Sequence, residues 1–83
     1  MREEWIPLTA LSPGEEGVVR QLSGGRGFVG RLASLGFAPG TRAQILQNFG
    51  RGPLIVLVRD TRVALGRGEA MRVWVSREGA KRG

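Results

Sequence analysis

The sequence predicts an all-β fold, a small barrel or sandwich of five to six short strands with one short inserted helix. Turn signals recur roughly every 8 to 12 residues, at Pro13-Gly14, Gly24-Gly25, Pro39-Gly40, Gly50 to Pro53 and Asp60-Thr61. The segments between them are rich in Val, Ile and Leu. A single stretch departs from the two-residue period and carries a helical one.

Taken in order, 6–8 is a first strand and 17–22 a second, centred on Val18 and Val19. In 41–48 Ala43 and Ile45 share one face while Arg42 and Gln44 share the other, the alternation of a half-buried strand. The run 54–59 is apolar on both faces and belongs inside the sheet. Segment 61–65 pairs with it through a tight turn at Asp60-Thr61, although the preferred two-residue turns carry Gly or Asn there. Strand 72–76 closes the series, with Val73 and Val75 on the face opposite Arg72, Trp74 and Ser76.

The exception lies at 28–36, where Phe28, Leu32 and Leu35 fall at i, i+4 and i+7. They form the apolar face of a short helix that is expected to meet the barrel. Gly36 stands at the place of a helix-terminating glycine, and Pro39 follows as a stop. A second turn of helix is expected at 68–71. One domain over 1–78 accounts for the pattern, with a basic tail at 79–83.

Composition narrows function by exclusion. The chain of 83 residues has no cysteine and no histidine, which removes disulfides, thiolate and imidazole metal ligands and the usual nucleophile–base pairs. So short a chain builds one thin core without a deep cavity, so no enzymatic activity is expected. Met1-Arg2-Glu3-Glu4-Trp5 has the wrong charge for an export signal, and the longest aliphatic run, Leu54-Ile55-Val56-Leu57-Val58, is far below the roughly 20 residues that span a bilayer. A cytoplasmic location without membrane insertion is the expectation.

Thirteen basic residues face seven acidic ones, for a net charge of +6. The charge is uneven. Residues 1–26 hold three arginines against four glutamates, a net of −1, so the rest carries +7. An acidic partner is implied, whether a protein face, a nucleic acid or an anionic surface. The candidate contact residues are Phe49, Arg51, Arg59, Arg62, Arg67, Arg72 and Trp74, with Arg42 nearby, a basic surface with two aromatic anchors.

Two other motifs read as ordinary structure. Ser23-Gly24-Gly25-Arg26-Gly27 precedes the helix as a phosphate-binding loop would, but it lacks the lysine and hydroxyl of such loops and reads as a turn. Glu3-Glu4 and Glu15-Glu16 are the clustered carboxylates. Without histidine or cysteine they do not suggest a selective transition-metal site, and no cofactor is expected.

The order of these features resembles the FeoA family from end to end. The resemblance is carried by Leu8 to Leu11 with Pro13-Gly14 and Gly17-Val18, and by Gly52-Pro53-Leu54-Ile55. It continues in Val63-Ala64-Leu65 with Ala70, and in Val73-Trp74-Val75. Its most diagnostic piece is the string Arg31-Leu32-Ala33-Ser34-Leu35-Gly36-Phe37-Ala38-Pro39-Gly40-Thr41. Asp60, Gly66 and Gly68 depart from the family pattern and leave the local turn and the second helix open.

The resemblance implies an SH3-like, partly open barrel with a helix inserted between early strands. It further implies an accessory role in ferrous iron transport, through contact with the cytosolic G-protein region of a FeoB-like membrane permease. The family occurs free-standing and as a domain appended to iron-dependent repressors. Lacking a DNA-binding helix pair, this chain resembles the free-standing form. The residues alone leave a second reading open, a basic SH3-like or OB-like nucleic-acid-binding barrel.

Overall fold

Two Pro-Gly steps set the entries to the second and third strands in the computed structural model, which describes residues 4–77. At Ser12-Pro13-Gly14-Glu15 the Glu15 N–H donates to the Ser12 carbonyl at 2.9 Å, and Gly14 has φ 91°. At Ala38-Pro39-Gly40-Thr41 the Thr41 N–H donates to Ala38 O at 3.1 Å, with Gly40 at φ 95°. Proline at the first central position and a positive-φ glycine at the second define type II turns. Gly40 N–H then bonds Val19 O at 2.7 Å and Gly14 N–H bonds Ile45 O at 2.7 Å, so each turn is anchored on the opposite strand.

The strands are β1 (Ile6–Pro7), β2 (Glu16–Leu22), β3 (Arg42–Gln47), β4 (Leu54–Val58), β5 (Thr61–Leu65) and β6 (Val73–Arg77). They form one antiparallel sheet in the order β1-β6-β2-β3-β4-β5. The sheet is open, with β1 and β5 at its edges. β2 pairs with β3 only over Glu16 to Val18, then continues against β6 past an irregularity at Arg20. A bulge there bends the strand, as does a second at Leu46 in β3, and lets the sheet coil around its own core. Arg20 uses the bend to donate from Nε to the buried Ser76 Oγ at 2.8 Å.

The core is built from the inward faces. Leu54, Val56 and Val58 of β4, Ile45 of β3, and Val73 and Val75 of β6 are fully buried, while Ile55 and Leu57 on the other face of β4 are half-buried. The expectation of a doubly apolar strand inside the sheet therefore holds. Gly17 lies where a Cβ would come within 2.9 Å of Val75 Cγ2 and 3.2 Å of Leu11 Cδ1, so β2 and β6 approach more closely than any larger residue permits.

The inserted helix α1 (Arg26–Ser34) starts two residues earlier than its apolar period indicates and ends in a Schellman motif. Phe37 N–H returns to Leu32 O at 3.0 Å and Gly36 N–H to Ala33 O at 3.0 Å, with Gly36 at φ 111°. Leu32 and Phe37 are buried together beneath it. Leu35 departs from expectation: it caps the helix and is 37% exposed, because the chain turns away at Gly36 before the third apolar position reaches the core.

Three further local differences have simple causes. Leu8–Ala10 forms a turn of 3-10 helix directly after β1, so Leu8 ends the strand and points into the core. The β4–β5 hairpin pairs Val58 with Thr61, which places Arg59 and Asp60 in the turn, one residue earlier than expected. The second helix, α2, spans Arg67–Ala70, and Glu69 Oε1 accepts the Gly66 N–H at 3.0 Å, which stabilises its start. The basic tail at 79–83 lies outside the described residues.

Candidate interaction surface

The structure distributes the seven candidate contact residues over three places. Phe49 and Arg51 sit in the β3–β4 loop beside Arg67 of α2. Arg59 and Arg62 stand at the β4–β5 hairpin. Arg72 and Trp74 lie at the start of β6, next to the loop that leads into α1.

The first group is held by a residue that composition did not single out. Asn48 Nδ2 donates to Thr9 O at 3.2 Å and to Leu11 O at 2.9 Å, while its Oδ1 accepts Arg67 Nη2 at 2.6 Å and Gly50 N–H at 3.0 Å. Arg67 Nε also donates to Gly52 O at 3.2 Å. Arg67 is thus a strut between α2 and the loop. The same bonds fix the base of a loop that leaves Phe49 77% exposed. The only sequence signal for Asn48 was its position between a strand and a glycine-rich turn.

The third group is also internally engaged. The Arg72 guanidinium lies 5.5 Å from the centre of the Phe28 ring, a cation–π distance, and Trp74 Nε1 donates to Ser23 Oγ at 3.3 Å. Trp74 is half-buried between Pro7 and Gln21 of the flanking strands.

The second group differs. Arg59 and Arg62, like Arg51, are exposed, and none of the three has a side-chain hydrogen bond or ion pair among the described residues. Arg62 stands on the outer face of the sheet, directly across from Leu57. Arg59 stands between two open depressions. One, on that outer face, is lined by Glu16, Arg42, Gln44 and Leu57. The other lies between Thr61 and the end of α1 from Ala33 to Gly36. A Cβ on Gly36 would sit 3.2 Å from Arg59 Cδ, so the glycine that ends α1 also makes room for the Arg59 stem.

Two of the five acidic residues among those described, Glu15 and Glu69, are held by partners. Glu69 pairs with Arg31 at 2.6 Å, joining α2 to α1. Glu15 accepts the Ser12 N–H at 2.7 Å and Arg77 Nε at 3.4 Å. The Ser12 hydrogen bond, helped by Arg77 and opposed by partial desolvation, holds its carboxyl below the ordinary glutamate range. No group of three or more potential metal-ligating side chains comes together among the described residues, and none of the described helices is long and apolar enough to cross a membrane.

The coiled antiparallel sheet with α1 inserted between β2 and β3 defines a small, partly open β-barrel domain. The FeoA domain model matches residues 6–77, and the chain belongs to the FeoA family. It is 35% identical over 69 residues, covering 83% of each chain, to a protein of Methanocaldococcus jannaschii named as a candidate Fe(2+) transport protein A.

Among solved structures, the crystal structure of an iron uptake regulatory protein, FeoA, superposes with a TM-score of 0.85 at 36% identity, covering 90% of this chain and 100% of the other. The FeoA of Stenotrophomonas maltophilia, solved with zinc and described as a procaryotic SH3 domain protein, gives a TM-score of 0.73 at 33% identity over 88% of this chain and 95% of that one. The fold is therefore SH3-like, as the resemblance implied.

Proposed function

We propose that this chain is a cytosolic accessory protein of ferrous iron transport that binds the G-protein region of a FeoB-like permease and catalyses no reaction itself. The observation that carries the reading is the FeoA match across nearly the whole described fold. It is supported by the absence of histidine and cysteine, which leaves no imidazole or thiolate with which to hold Fe(2+) selectively. Iron is then the cargo of the partner, and this chain acts on transport by touching that partner.

The test is ferrous uptake in cells that carry the permease, with and without this gene. Deletion should change the initial uptake rate at least about twofold at limiting iron. The change should vanish when the permease is also deleted. An uptake rate indifferent to the gene would overturn the reading.

A further inference from the structure

The β4–β5 turn places an arginine in a backbone conformation that disfavours it, followed by an aspartate where glycine fits best. Val58 pairs with Thr61 across a two-residue turn in which Arg59 has φ 51° and Asp60 has φ 63°. Two successive left-handed residues make the type I′ turn, which favours Asn-Gly because a Cβ is crowded there. Neither residue is glycine or asparagine. Arg59 and Asp60 are also the only non-glycine residues with positive φ among those described. Backbone cost retained at one turn calls for a compensating use of the side chains.

The surroundings indicate what that use is. Arg59 and Arg62 are exposed guanidiniums without intramolecular partners among the described residues. On one side of Arg59 the outer-face depression reaches the half-buried Leu57; on the other, a hollow of about 380 Å³ is rimmed by Leu35, 37% exposed at the end of α1. Two forks for carboxylates thus stand beside an apolar contact at Leu57. Asp60 and Glu16 lie in the same lining. A phosphodiester backbone has no donor to offer them, whereas a polypeptide offers N–H donors to them as well as carboxylates to the arginines.

We infer that the Arg59–Asp60 hairpin tip is a recognition element for an acidic polypeptide segment, in which Arg59 and Arg62 take carboxylates while Leu57, across from Arg62 on the outer face, receives the adjoining apolar side chain. This rests on reading the chain as a partner-binding module. It does not depend on which protein the partner is. The hairpin retains an unfavourable turn because the favourable one would delete the Arg59 fork.

Two variants separate recognition from folding. Arg59→Asn relieves the turn and removes the fork; Asp60→Gly relieves the turn and keeps it. Both should raise the thermal unfolding midpoint, by about 2–5 °C. The binding probe is a synthetic peptide with a Glu-Leu-Glu core, compared with its Gln-Leu-Gln isostere and with a single-stranded oligothymidylate, each titrated into nitrogen-15-labelled protein.

The acidic peptide should shift the Arg59 and Arg62 Nε–H signals and the Leu57 amide, and the isostere should not. Arg59→Asn should weaken binding at least about tenfold, while Asp60→Gly, which removes one acceptor and no guanidinium, should weaken it by no more than about threefold. The inference is overturned if Arg59→Asn binds the peptide like wild type, if the shifts lie elsewhere, or if only the oligonucleotide produces them. A parallel titration with the soluble G-protein region of the permease tests the functional reading separately, since that arm can fail while the peptide arm succeeds.

Discussion

Arg67 Nη2 donates to Asn48 Oδ1 at 2.6 Å, and this bond turns an arginine that would pass for surface charge into part of the frame. It joins α2 to the β3–β4 loop, while the Asn48 amide group reaches the carbonyls of Thr9 and Leu11. Asn48→Ala leaves those acceptors and the Arg67 guanidinium without their partner and should destabilise the fold by about 1–3 kcal/mol. Urea unfolding measures it. An unchanged midpoint would show that water replaces the whole network.

The helix provides a paired test of packing. Leu32 is fully buried whereas Leu35 is 37% exposed, although the two occupy adjoining turns of the same apolar period. Leu32→Asp should abolish folding, because an unpaired carboxylate is buried. Leu35→Asp should keep the native far-ultraviolet spectrum and lose less than about 1 kcal/mol. Equal loss in both variants would contradict the placement of Leu35.

Gly17 separates close approach from ordinary turn geometry. Gly17→Ala would push a methyl group to 2.9 Å from Val75 Cγ2 in the interior of the sheet. Destabilisation of about 1–3 kcal/mol is expected from overpacking. A neutral effect would mean that β6 moves aside freely.

Glu15 predicts a dependence on acid. Its carboxyl is held below the ordinary glutamate range, first by the Ser12 N–H and then by Arg77. A lowered folded-state pKa adds stability that is present above the unfolded value, about 4.3, and is lost as pH falls through the folded one. Comparison of wild type with Glu15→Gln by thermal unfolding should show a gap at neutral pH that closes on acidification below pH about 4. A gap that widens toward acid would reverse the sign and refute the assignment.

Much of the fold was legible because short-range signals and tertiary packing agree. Ala43 and Ile45 alternate with Arg42 and Gln44 in the sequence, and the structure buries the first pair. Gly36 was recognisable as a helix stop because only glycine takes its backbone angle easily. The phase of Leu35 was not legible. Periodicity reports neighbours on an ideal helix, and the Schellman turn takes the chain out of that helix at the next residue.

The site was less accessible still. Sequence shows how many arginines there are, not which of them meets a carbonyl, a ring or a carboxylate. Arg67 and Arg72 proved to be engaged within the molecule, whereas Arg51, Arg59 and Arg62 have no such partner among the described residues. That division emerges only once α2, the β3–β4 loop and the hairpin are brought together in space.

The most direct test of the account is a calorimetric titration of this chain into the soluble G-protein region of the permease encoded in the same genome. Binding should be saturable and weakened by Arg59→Asn. It should fall only modestly between about 50 and 200 mM salt, since few charge pairs are involved, while single- and double-stranded oligonucleotides give no heat at the lower salt. No binding to the G-protein region, together with oligonucleotide affinity that drops by orders of magnitude over that salt range, would contradict the account and favour a nucleic-acid-binding barrel instead.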